Sequence, residues 1–437
     1  MLQVALRRRR KKSFATGNDD LEIAIRRLGE NISEALIEAS KPKFKQPSLK
    51  LPSEIKAKIR HRNRIRKFRQ RTRDPAVKSE FRTLSREGAF GSVANHPLEK
   101  AEVIADSLQK QFEPNTEAEN DRFTARTQRK IKRFLDVPTC FDLEKTTPGE
   151  VQYIKKLKIN KSPRLDIITN RILKHLPLKF VLFIVMLFNL FMENCHFPKN
   201  WKTAVVVPIL KPNSDDTQPQ NYRPILLLSS LSKAYEFVLL NHLNQHCIVR
   251  NIIIPEQHGF DTQCSTVTQL LRVIELIHHG FQNNQAMGML FVDIAKAFDK
   301  IWHDGLLSKM MRLGLSDQLI KIIHSYLNSR EFSLSTPRPI LSGVPQGSLL
   351  GPKLFNLYIN DIPKAVGVHL VMYADDTAIF TQNIYNCNII ERLQNYVIRL
   401  ETWLKDWKIK VNASKSVCLL FTRQRCIGNL PHVNIFN

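Results

Sequence analysis

The sequence predicts a mixed fold of the α+β class, and three observations support that prediction. Short apolar runs typical of strands lie irregularly among longer segments with helical periodicity, whereas a doubly wound sheet requires regular alternation. The 437 residues are 43% hydrophobic and 24% charged, which is the composition of an ordinary globular protein and not of a disordered or fibrous chain. The length suffices for roughly two to four domain-sized units with buried cores.

The predicted elements follow from the spacing of apolar residues. A first amphipathic helix is predicted around residues 21–36, behind Asn18 and Asp19, which can cap it. Further helices are predicted at residues 98–112, 148–157, 169–192, 231–246, 266–281, 306–327 and 352–359. Strands are predicted at residues 204–210, 288–294, 369–373, 377–381 and 416–421. We divide the chain into a basic extension (residues 1–92), a helical region (residues 93–190) and an α+β domain (residues 191–437).

The chain as a whole is basic, with 66 Lys and Arg against 40 Asp and Glu and a pI of about 9.9. A surplus of this size predicts a polyanionic partner. Seven scattered cysteines without a C-x-x-C pair argue against a disulfide scaffold or a zinc ribbon. They favour a reducing, intracellular environment.

No segment of the sequence predicts secretion or a membrane span. The basic start at residues 7–12 is followed by polar and acidic residues instead of an apolar stretch. The strongest apolar run, residues 180–192, is interrupted by Asn189 and bounded by Lys179 and Glu193. It is shorter than the roughly 20 residues that a spanning helix needs, so we predict a buried helix and no membrane contact.

The positive charge is concentrated near the N-terminus. Residues 1–73 hold 22 basic and 7 acidic residues, a surplus of 15 out of the net charge of +26. The densest part, residues 56–73, is predicted to bind nucleic-acid phosphates with little sequence preference, and a nuclear-localisation patch or a solvated linker is the alternative interpretation. The basic side chains of this run are Lys56, Lys58, Arg60, Arg62, Arg64, Arg66, Lys67, Arg69, Arg71 and Arg73.

Carboxylates at the ends of strands stand out in a chain this basic. Asp293 ends an apolar strand, and Asp299 follows it after a short segment. Asp375 and Asp376 lie between two apolar runs with hairpin spacing, which places adjacent acids at the tip of the turn. Neighbouring carboxylates repel unless a cation is bound, and an all-oxygen site suits Mg²⁺. An Asp-Asp pair alone is more often a simple turn, so its surroundings decide between the two interpretations.

Those surroundings are four segments that occur in a fixed order. They are FVDIAKAFDKIWHDGLL (residues 291–307), SGVPQGSLLGPKLFNLYIND (342–361), YADDT (373–377) and LKDWKIKVNASKS (404–416). Together they resemble reverse transcriptases, most closely the jockey type of non-LTR retrotransposon, and similar matches extend upstream to about residue 60. The resemblance implies the fingers and palm of a right-hand polymerase for residues 191–437, behind a partly helical or disordered basic extension and without a thumb.

The resemblance also implies a role for each carboxylate. Asp293 and Asp375 would hold two Mg²⁺ ions, or Mn²⁺ in their place, and Asp376 would support the same cluster. Two such ions activate an attacking hydroxyl and stabilise the leaving oxygen of an in-line phosphoryl transfer. Lys415 stands where the family has a lysine near the site, and it would act as general acid for the departing pyrophosphate.

A nucleotide site is implied by five further residues. Lys211 and Arg223 match finger residues that contact the triphosphate, and their charge suits phosphate oxygens. Phe298 stands at the steric-gate position below the incoming sugar, a role that is compatible with an ordinary core phenylalanine. Gln346 and Gly347, in the Pro-Gln-Gly turn, would position the template or the nucleotide.

Three positions depart from the family pattern. Arg164 replaces a turn glycine, Asp261 replaces an arginine, and residues 330–342 form a shorter hairpin than in relatives. Nothing in residues 1–100 resembles the endonuclease that family members carry, and the chain ends before the primer grip and thumb. We expect these features to weaken the hold on primer and template.

The expected function is therefore RNA-directed DNA synthesis, in which dNTPs are added to a primer 3′-hydroxyl. The implied partners are an RNA template, a DNA primer or target DNA, and dNTPs, in the nucleus and cytoplasm. The alternative is a catalytically inactive, truncated remnant of a retroelement that only binds nucleic acid.

Overall fold

Two four-stranded sheets and a large helical core make up the described part of the chain, which confirms the predicted mixture of helices and strands. This computed structural model describes residues 18–40, 97–116, 120–139, 143–158, 168–215, 217–260, 264–334, 336–424 and 431–435. The α-helices are α1 (Asn18–Ser40), α2 (Pro97–Gln111), α3 (Asp121–Asp136), α4 (Pro148–Val151), α5 (Tyr153–Lys156), α6 (Asn170–Lys174), α7 (Leu178–Glu193), α8 (Ser230–Val249), α9 (Thr266–Gln282), α10 (His303–Arg312), α11 (Asp317–Leu327), α12 (Gly351–Ile359) and α13 (Asn386–Asp406). The strands are β1 (Thr203–Leu210), β2 (Tyr222–Leu227), β3 (Ala286–Asp293), β4 (Arg330–Ser333), β5 (Pro337–Ile340), β6 (Val368–Tyr373), β7 (Asp376–Asn383) and β8 (Val417–Phe421).

The first sheet carries the predicted carboxylates. Its strand order is β6-β7-β3-β8, and all neighbouring strands are antiparallel. Side chains of β3 alternate between the two faces, so that Met287 and Met289 pack with α9 while Leu290 and Val292 join the main core with α13. A one-residue slip would move a larger side chain into the place of Gly288, where an added Cβ would lie 2.3 Å from Ile389, so the register and the strand ends are fixed by packing.

The second sheet has the order β2-β1-β4-β5, and α2 packs against it. Ile104, Leu108 and Phe112 from the region of α2 form a small core with Val206 and Phe332. Strand β2 was not predicted, and β4 and β5 were expected only as the short hairpin at residues 330–342 that the resemblance implies, because prolines obscure the strand pattern of β2 and β5. Pro224 lies in β2 and Pro337 in β5, and both strands are at an edge, where a missing N–H is tolerated.

The main core is rich in aromatic side chains. The apolar run at residues 180–192 forms the larger part of α7, which is buried on one side only: Phe188 and Phe191 are almost fully enclosed, whereas Leu182 and Met186 are exposed. These rings pack with Trp201 and Tyr235. Among the described residues, no helix is long and apolar enough to cross a membrane.

Several predicted helices are shorter than their apolar pattern indicates. The helix predicted at residues 169–192 divides into α6 and α7, since Pro177 lies at the N-terminal boundary of α7. The one predicted at residues 306–327 divides at Gly314, after which Ser316 caps α11 through the N–H of Leu319. The one predicted at residues 148–157 forms the two short helices α4 and α5. Helices α3 and α13 were not predicted at all.

Helix α1 confirms the first predicted helix and is docked on the main core. Leu21, Ile25 and Leu28 are buried in that core. The Glu22 carboxylate accepts hydrogen bonds from the backbone N–H of Lys199 at 2.7 Å and from His196 at 3.0 Å. Residues 41–96 lie outside the described residues, and with them the basic run at residues 56–73. The division of the chain at residues 92 and 190 stays a prediction.

Candidate active site

The β6–β7 hairpin places two carboxylates at its turn. Tyr373 pairs with Asp376 in the hairpin, so Ala374 and Asp375 form the two-residue connection. Ala374 has a φ of +57°, a left-handed conformation that is unfavourable for a residue with a Cβ. Strain of this kind is often found at functional sites, where the surrounding structure holds it.

Gln257 holds this strained turn in place. Its Oε1 accepts the backbone N–H of Ala374 at 3.0 Å and that of Gly259 at 2.6 Å, while its Nε2 donates to the Ala374 carbonyl at 3.1 Å. A Cβ added at Gly259 would lie 2.1 Å from the Ala374 nitrogen, so only glycine fits against the turn. Gln257 was assigned no role from the sequence, because nothing local in the sequence signals a contact with residue 374.

Asp293 lies beside this turn at the end of β3. It is in register with Asp376 on β7, so two carboxylates occupy opposite positions on neighbouring strands. The backbone of Asp293 is fixed on its other side, where the N–H of Asn412 donates to its carbonyl at 2.8 Å and its own N–H donates to Ser416 Oγ at 3.3 Å. Like charges directly opposite each other destabilise a sheet, so a cation bound between them would stabilise it.

The electrostatics of Asp375 point to the same need for a cation. Burial raises the pKa of Asp375, and the charges of Asp376 and Asp293 raise it further, while Arg223 opposes them. Carboxylate oxygens are the ligands that Mg²⁺ prefers, so the residues present fit the expected ion. Within the described ranges, no three His, Cys, Asp or Glu side chains converge closely enough to form a complete metal site by themselves.

One cleft of about 680 Å³ brings together most of the predicted site residues. Besides Asp293 and Asp375, its lining includes the predicted residues Lys211, Arg223, Phe298, Gln346, Gly347 and Lys415. Asp376 is exposed and does not line this cleft, although it is adjacent to Asp375 in the chain. Apart from Asp376, the residues that were predicted to bind the nucleotide and the metal therefore line a common cleft.

The basic side of the cleft comes from the β1–β2 hairpin. Lys211 follows β1, and its Nζ donates to the Gln220 carbonyl at 3.1 Å. Arg223 lies in β2, opposite Ile209. Burial lowers the pKa of Lys211, and the nearby cations Lys415 and Arg223 lower it further, while Asp299 and Asp293 raise it. Three mutually repelling cations in one cleft are suited to a polyanion such as a triphosphate.

Phe298 belongs both to the cleft and to the core. Its ring stacks on Phe355, with centroids 4.9 Å apart and planes at 23°, and Phe260 meets it edge-on at 5.7 Å. Its carbonyl accepts the N–H of Val344 at 2.8 Å. The two interpretations of this residue, core phenylalanine and sugar-facing ring, are thus compatible, and the steric-gate role stays a prediction.

The Pro-Gln-Gly turn is anchored to β2 and to a buried carboxylate. The Gln346 carbonyl accepts the N–H of Leu226 at 2.9 Å, and the Gln346 Nε2 donates to Asp299 Oδ1 at 2.8 Å. Gly347 has a φ of +112°, and an added Cβ would lie 2.8 Å from the Leu226 carbonyl oxygen, so glycine is required here. Asp299 is only 2% exposed, and burial raises its pKa to about 6.

Two of the departures from the family pattern cannot be placed. Arg164 and Asp261 lie outside the described residues. The third, at residues 330–342, contains a hairpin of two four-residue strands, in which Ser333 pairs with Pro337.

Comparisons with known proteins agree with this geometry. The sequence model of the family "Reverse transcriptase (RNA-dependent DNA polymerase)" matches residues 209–430. The chain is 38% identical over 288 residues to the probable RNA-directed DNA polymerase from transposon BS of Drosophila melanogaster, which covers 62% of this chain and 32% of that protein. It is 32% identical to the RNA-directed DNA polymerase from mobile element jockey of the same species, over 83% of this chain and 40% of that protein.

A third relative is matched over most of the chain. The probable RNA-directed DNA polymerase from transposon X-element of Drosophila melanogaster is 30% identical over 93% of this chain and 51% of its own length. The chain thus spans from about a third to about half of the length of these relatives. The chain belongs to the reverse transcriptase family, among the polymerases of jockey-like non-LTR retrotransposons.

Proposed function

We propose that this chain is an RNA-directed DNA polymerase that adds deoxynucleotides to a primer 3′-hydroxyl on an RNA template. The observation that carries the proposal is the single cleft in which the carboxylates of Asp293 and Asp375 face the cations Lys211 and Arg223. In this assignment the β6-β7-β3-β8 sheet is the palm, and the β2-β1-β4-β5 sheet belongs to the fingers.

Each side of the cleft has its own task in this reaction. Lys211 and Arg223 bind the triphosphate of the incoming dNTP, since the negative charge of the triphosphate relieves the repulsion between the two cations. Asp293 and Asp375 would hold divalent ions, Mg²⁺ or Mn²⁺, and Asp376, which pairs with Asp293 across the two strands, would support them. When bound, such ions activate the primer hydroxyl and stabilise the charge on the leaving oxygen. Lys415 lies on the same cleft and can donate a proton to the departing pyrophosphate.

A primer-extension assay tests the proposal. The purified chain is incubated with poly(rA)·oligo(dT), dTTP and Mg²⁺, and compared with the variants Asp293→Asn and Asp375→Asn. Both variants are expected to lose about two orders of magnitude or more in kcat. Asp317→Asn is the control, since this exposed carboxylate at the start of α11 is remote from the cleft lining. Equal incorporation by parent and cleft variants would refute the assignment of the site.

Binding of nucleic acid without catalysis is the second candidate function, and α3 is the observation that favours it. This helix buries Thr124, Thr127 and Ile131 on one side. Its basic side chains are all exposed, namely Arg122, Arg126, Arg129, Lys130, Lys132 and Arg133. Such a face fits a phosphate backbone and is independent of the carboxylates.

Salt-dependent binding, measured together with nucleotide incorporation, distinguishes the two candidates. Replacing Arg126, Arg129, Lys130 and Arg133 together with alanine is expected to reduce the slope of log K against log salt by about 3 for single-stranded RNA. The measurement is fluorescence anisotropy of a labelled oligonucleotide at several salt concentrations. Salt-dependent binding by the parent without Mg²⁺- or Mn²⁺-dependent incorporation would favour the second candidate.

A further inference from the structure

We infer that Asp299 is a positioning residue, which orients the side-chain amide of Gln346 in the nucleotide cleft and is itself bound to the end of helix α2 through Gln111. The inference rests on the proposed polymerase function, because it concerns how that cleft presents one of its polar groups. It also assigns a part of the active cleft to a helix that precedes residue 209, where the family match begins.

Each of the two oxygens of the Asp299 carboxylate accepts a side-chain hydrogen bond. Oδ1 accepts Gln346 Nε2 at 2.8 Å, and Oδ2 accepts Gln111 Nε2 at 2.6 Å. All three side chains line the cleft, although Asp299 itself is 2% exposed and Gln111 is 5% exposed. A buried carboxylate that makes two side-chain hydrogen bonds at this place is not explained by packing alone, since burying a charge is costly.

The chemistry of the carboxylate decides which way each glutamine amide faces. An ionised carboxylate only accepts hydrogen bonds, so Gln346 and Gln111 must both present an NH₂ group to it. The Oε1 of Gln346, its only strong acceptor atom, is then left for whatever occupies the cleft. An asparagine at position 299 presents one oxygen and one NH₂ group, so one of the two glutamines would have to turn its amide oxygen towards the asparagine instead of its NH₂.

The backbone next to Asp299 is tied to the same turn. Ser342 Oγ donates to the Asp299 carbonyl at 3.0 Å, and the N–H of Val344 donates to the carbonyl of the preceding residue, Phe298, at 2.8 Å. Lys296 and Lys300 provide positive charge that favours the ionised carboxylate. Asp299 therefore cannot move without moving the segment that carries Gln346.

Helix α2 is anchored independently at the point where Gln111 ends it. The Phe112 carbonyl accepts the N–H of Leu341 at 3.0 Å and that of Ser342 at 2.7 Å. The Phe112 ring packs on Phe332 of β4, with centroids 5.3 Å apart. On the other side, Lys300 Nζ donates to the carbonyl of Glu113 at 2.6 Å. These contacts fix the distance between Gln111 and Asp299, so that the helix supports the orientation of the carboxylate.

A double-mutant cycle tests the inference. Asp299→Asn, Gln346→Met and the double variant are compared with the parent in primer extension on poly(rA)·oligo(dT), with kcat and the KM for dTTP measured separately. Asp299→Asn is expected to raise the KM for dTTP about tenfold and to change kcat less than about threefold, because the amide oxygen no longer has a fixed direction. In the Gln346→Met background the same change is expected to alter KM less than about twofold, since no amide remains to be oriented.

Controls separate this role from a purely structural one. Asp304→Asn removes a carboxylate whose pKa is also raised by burial but which does not line the cleft, and its KM is expected to equal that of the parent. Gln111→Leu is expected to raise KM in the same direction as Asp299→Asn but only about threefold, because Gln346 keeps its partner. Equal KM increases from Asp299→Asn in both backgrounds, or a loss confined to kcat, would overturn the inference.

The binding of a fluorescent dTTP analogue, with template-primer and Mg²⁺ present, keeps the test independent of turnover. If the parent binds the analogue without incorporating nucleotide, the proposed catalysis fails. The Kd values of the parent, the two single variants and the double variant then decide the role of Asp299. A Kd that rises about tenfold in Asp299→Asn and no further in the double variant would support the inference. Additive changes in Kd, or a parent that does not bind the analogue, would overturn it.

Discussion

Replacing Gln257 with leucine is expected to impair catalysis far more than it impairs folding. Gln257 is 5% exposed and makes three hydrogen bonds to backbone groups, two of them to Ala374. Leucine is of similar size but leaves these groups without their partner. At about 1 kcal/mol or more for each lost bond, the free energy of unfolding should fall by about 3 kcal/mol.

The effect on activity follows from the strain in the turn. Ala374 has a φ of +57°, which costs about 1–2 kcal/mol for a residue with a Cβ. Without Gln257 to hold it, the turn is expected to relax and to displace Asp375. A shift of about 1 Å at a reacting group can cost about 100-fold in rate, so we expect a loss of that order in kcat.

The assay measures primer extension and urea unfolding on the same preparations, at a temperature where both proteins are folded. Gln318→Leu is the matched control. Gln318 is 2% exposed and also binds backbone groups through both amide atoms, accepting from Leu143 N at 3.1 Å and donating to the Met192 carbonyl at 2.9 Å. It should lose similar stability and keep its kcat. If Gln257→Leu retains the kcat of the parent at a comparable loss of stability, the positioning role of Gln257 is refuted.

Three further predictions concern stability. Burial raises the pKa of Asp299 from 3.8 to about 6, so its stabilising contribution is complete below about pH 3.8 and is lost as the pH rises through about 6. The free energy of unfolding of the parent, measured with urea, should therefore fall over this interval by on the order of 3 kcal/mol relative to that of Asp299→Asn. Parallel pH profiles of the two proteins would contradict this. Lys309→Met should lower the free energy of unfolding by about 2 kcal/mol, because it removes the ammonium that lies among the rings of Tyr358, Trp403 and Trp407 and binds Asp361, whose carboxylate then keeps only the hydrogen bond from Trp403. Calorimetry measures this, and an unchanged Tm would be evidence against a stabilising role of the ammonium. Arg338→Ala should lower the free energy of unfolding by about 1 kcal/mol and raise the KM for dTTP, because Arg338 of β5 forms salt bridges with Glu102 and Asp106 of α2. A KM equal to that of the parent would show that the position of α2 does not depend on these salt bridges.

The carboxylates that we propose for the active site could be predicted from local strand patterns, together with the resemblance of the segments that contain them. Asp293 ends an apolar strand, and Asp375 and Asp376 stand between two runs of strand-forming residues, so a window of a few residues contains the whole pattern. The basic residues Lys211 and Arg223 were predicted by resemblance alone, since isolated cations are usually only solvated. Their meeting with the carboxylates in one cleft required the two sheets to be placed against each other.

The elements that were missed lacked a clear local pattern. Strands β2 and β5 contain prolines, which are tolerated there only because both strands are edges, and an edge exists only once the sheet is assembled. Helix α3 has few apolar residues among its charges, and the neighbours that it packs against lie far along the chain, as in the edge-on contact between Phe123 and Trp407.

The amino-acid sequence by itself was sufficient to recognise the reverse transcriptase family, to single out the carboxylates proposed to bind metal and to predict a polyanionic partner, because these depend on residue type, on ordered motifs and on net charge. The tertiary structure alone decided which side chains hold those groups in position. Gln257 reaches Ala374 across 117 residues, and Gln111 reaches Asp299 across 188 residues. Such pairs satisfy buried polar groups, and packing of the whole chain selects them, so no local pattern can reveal them.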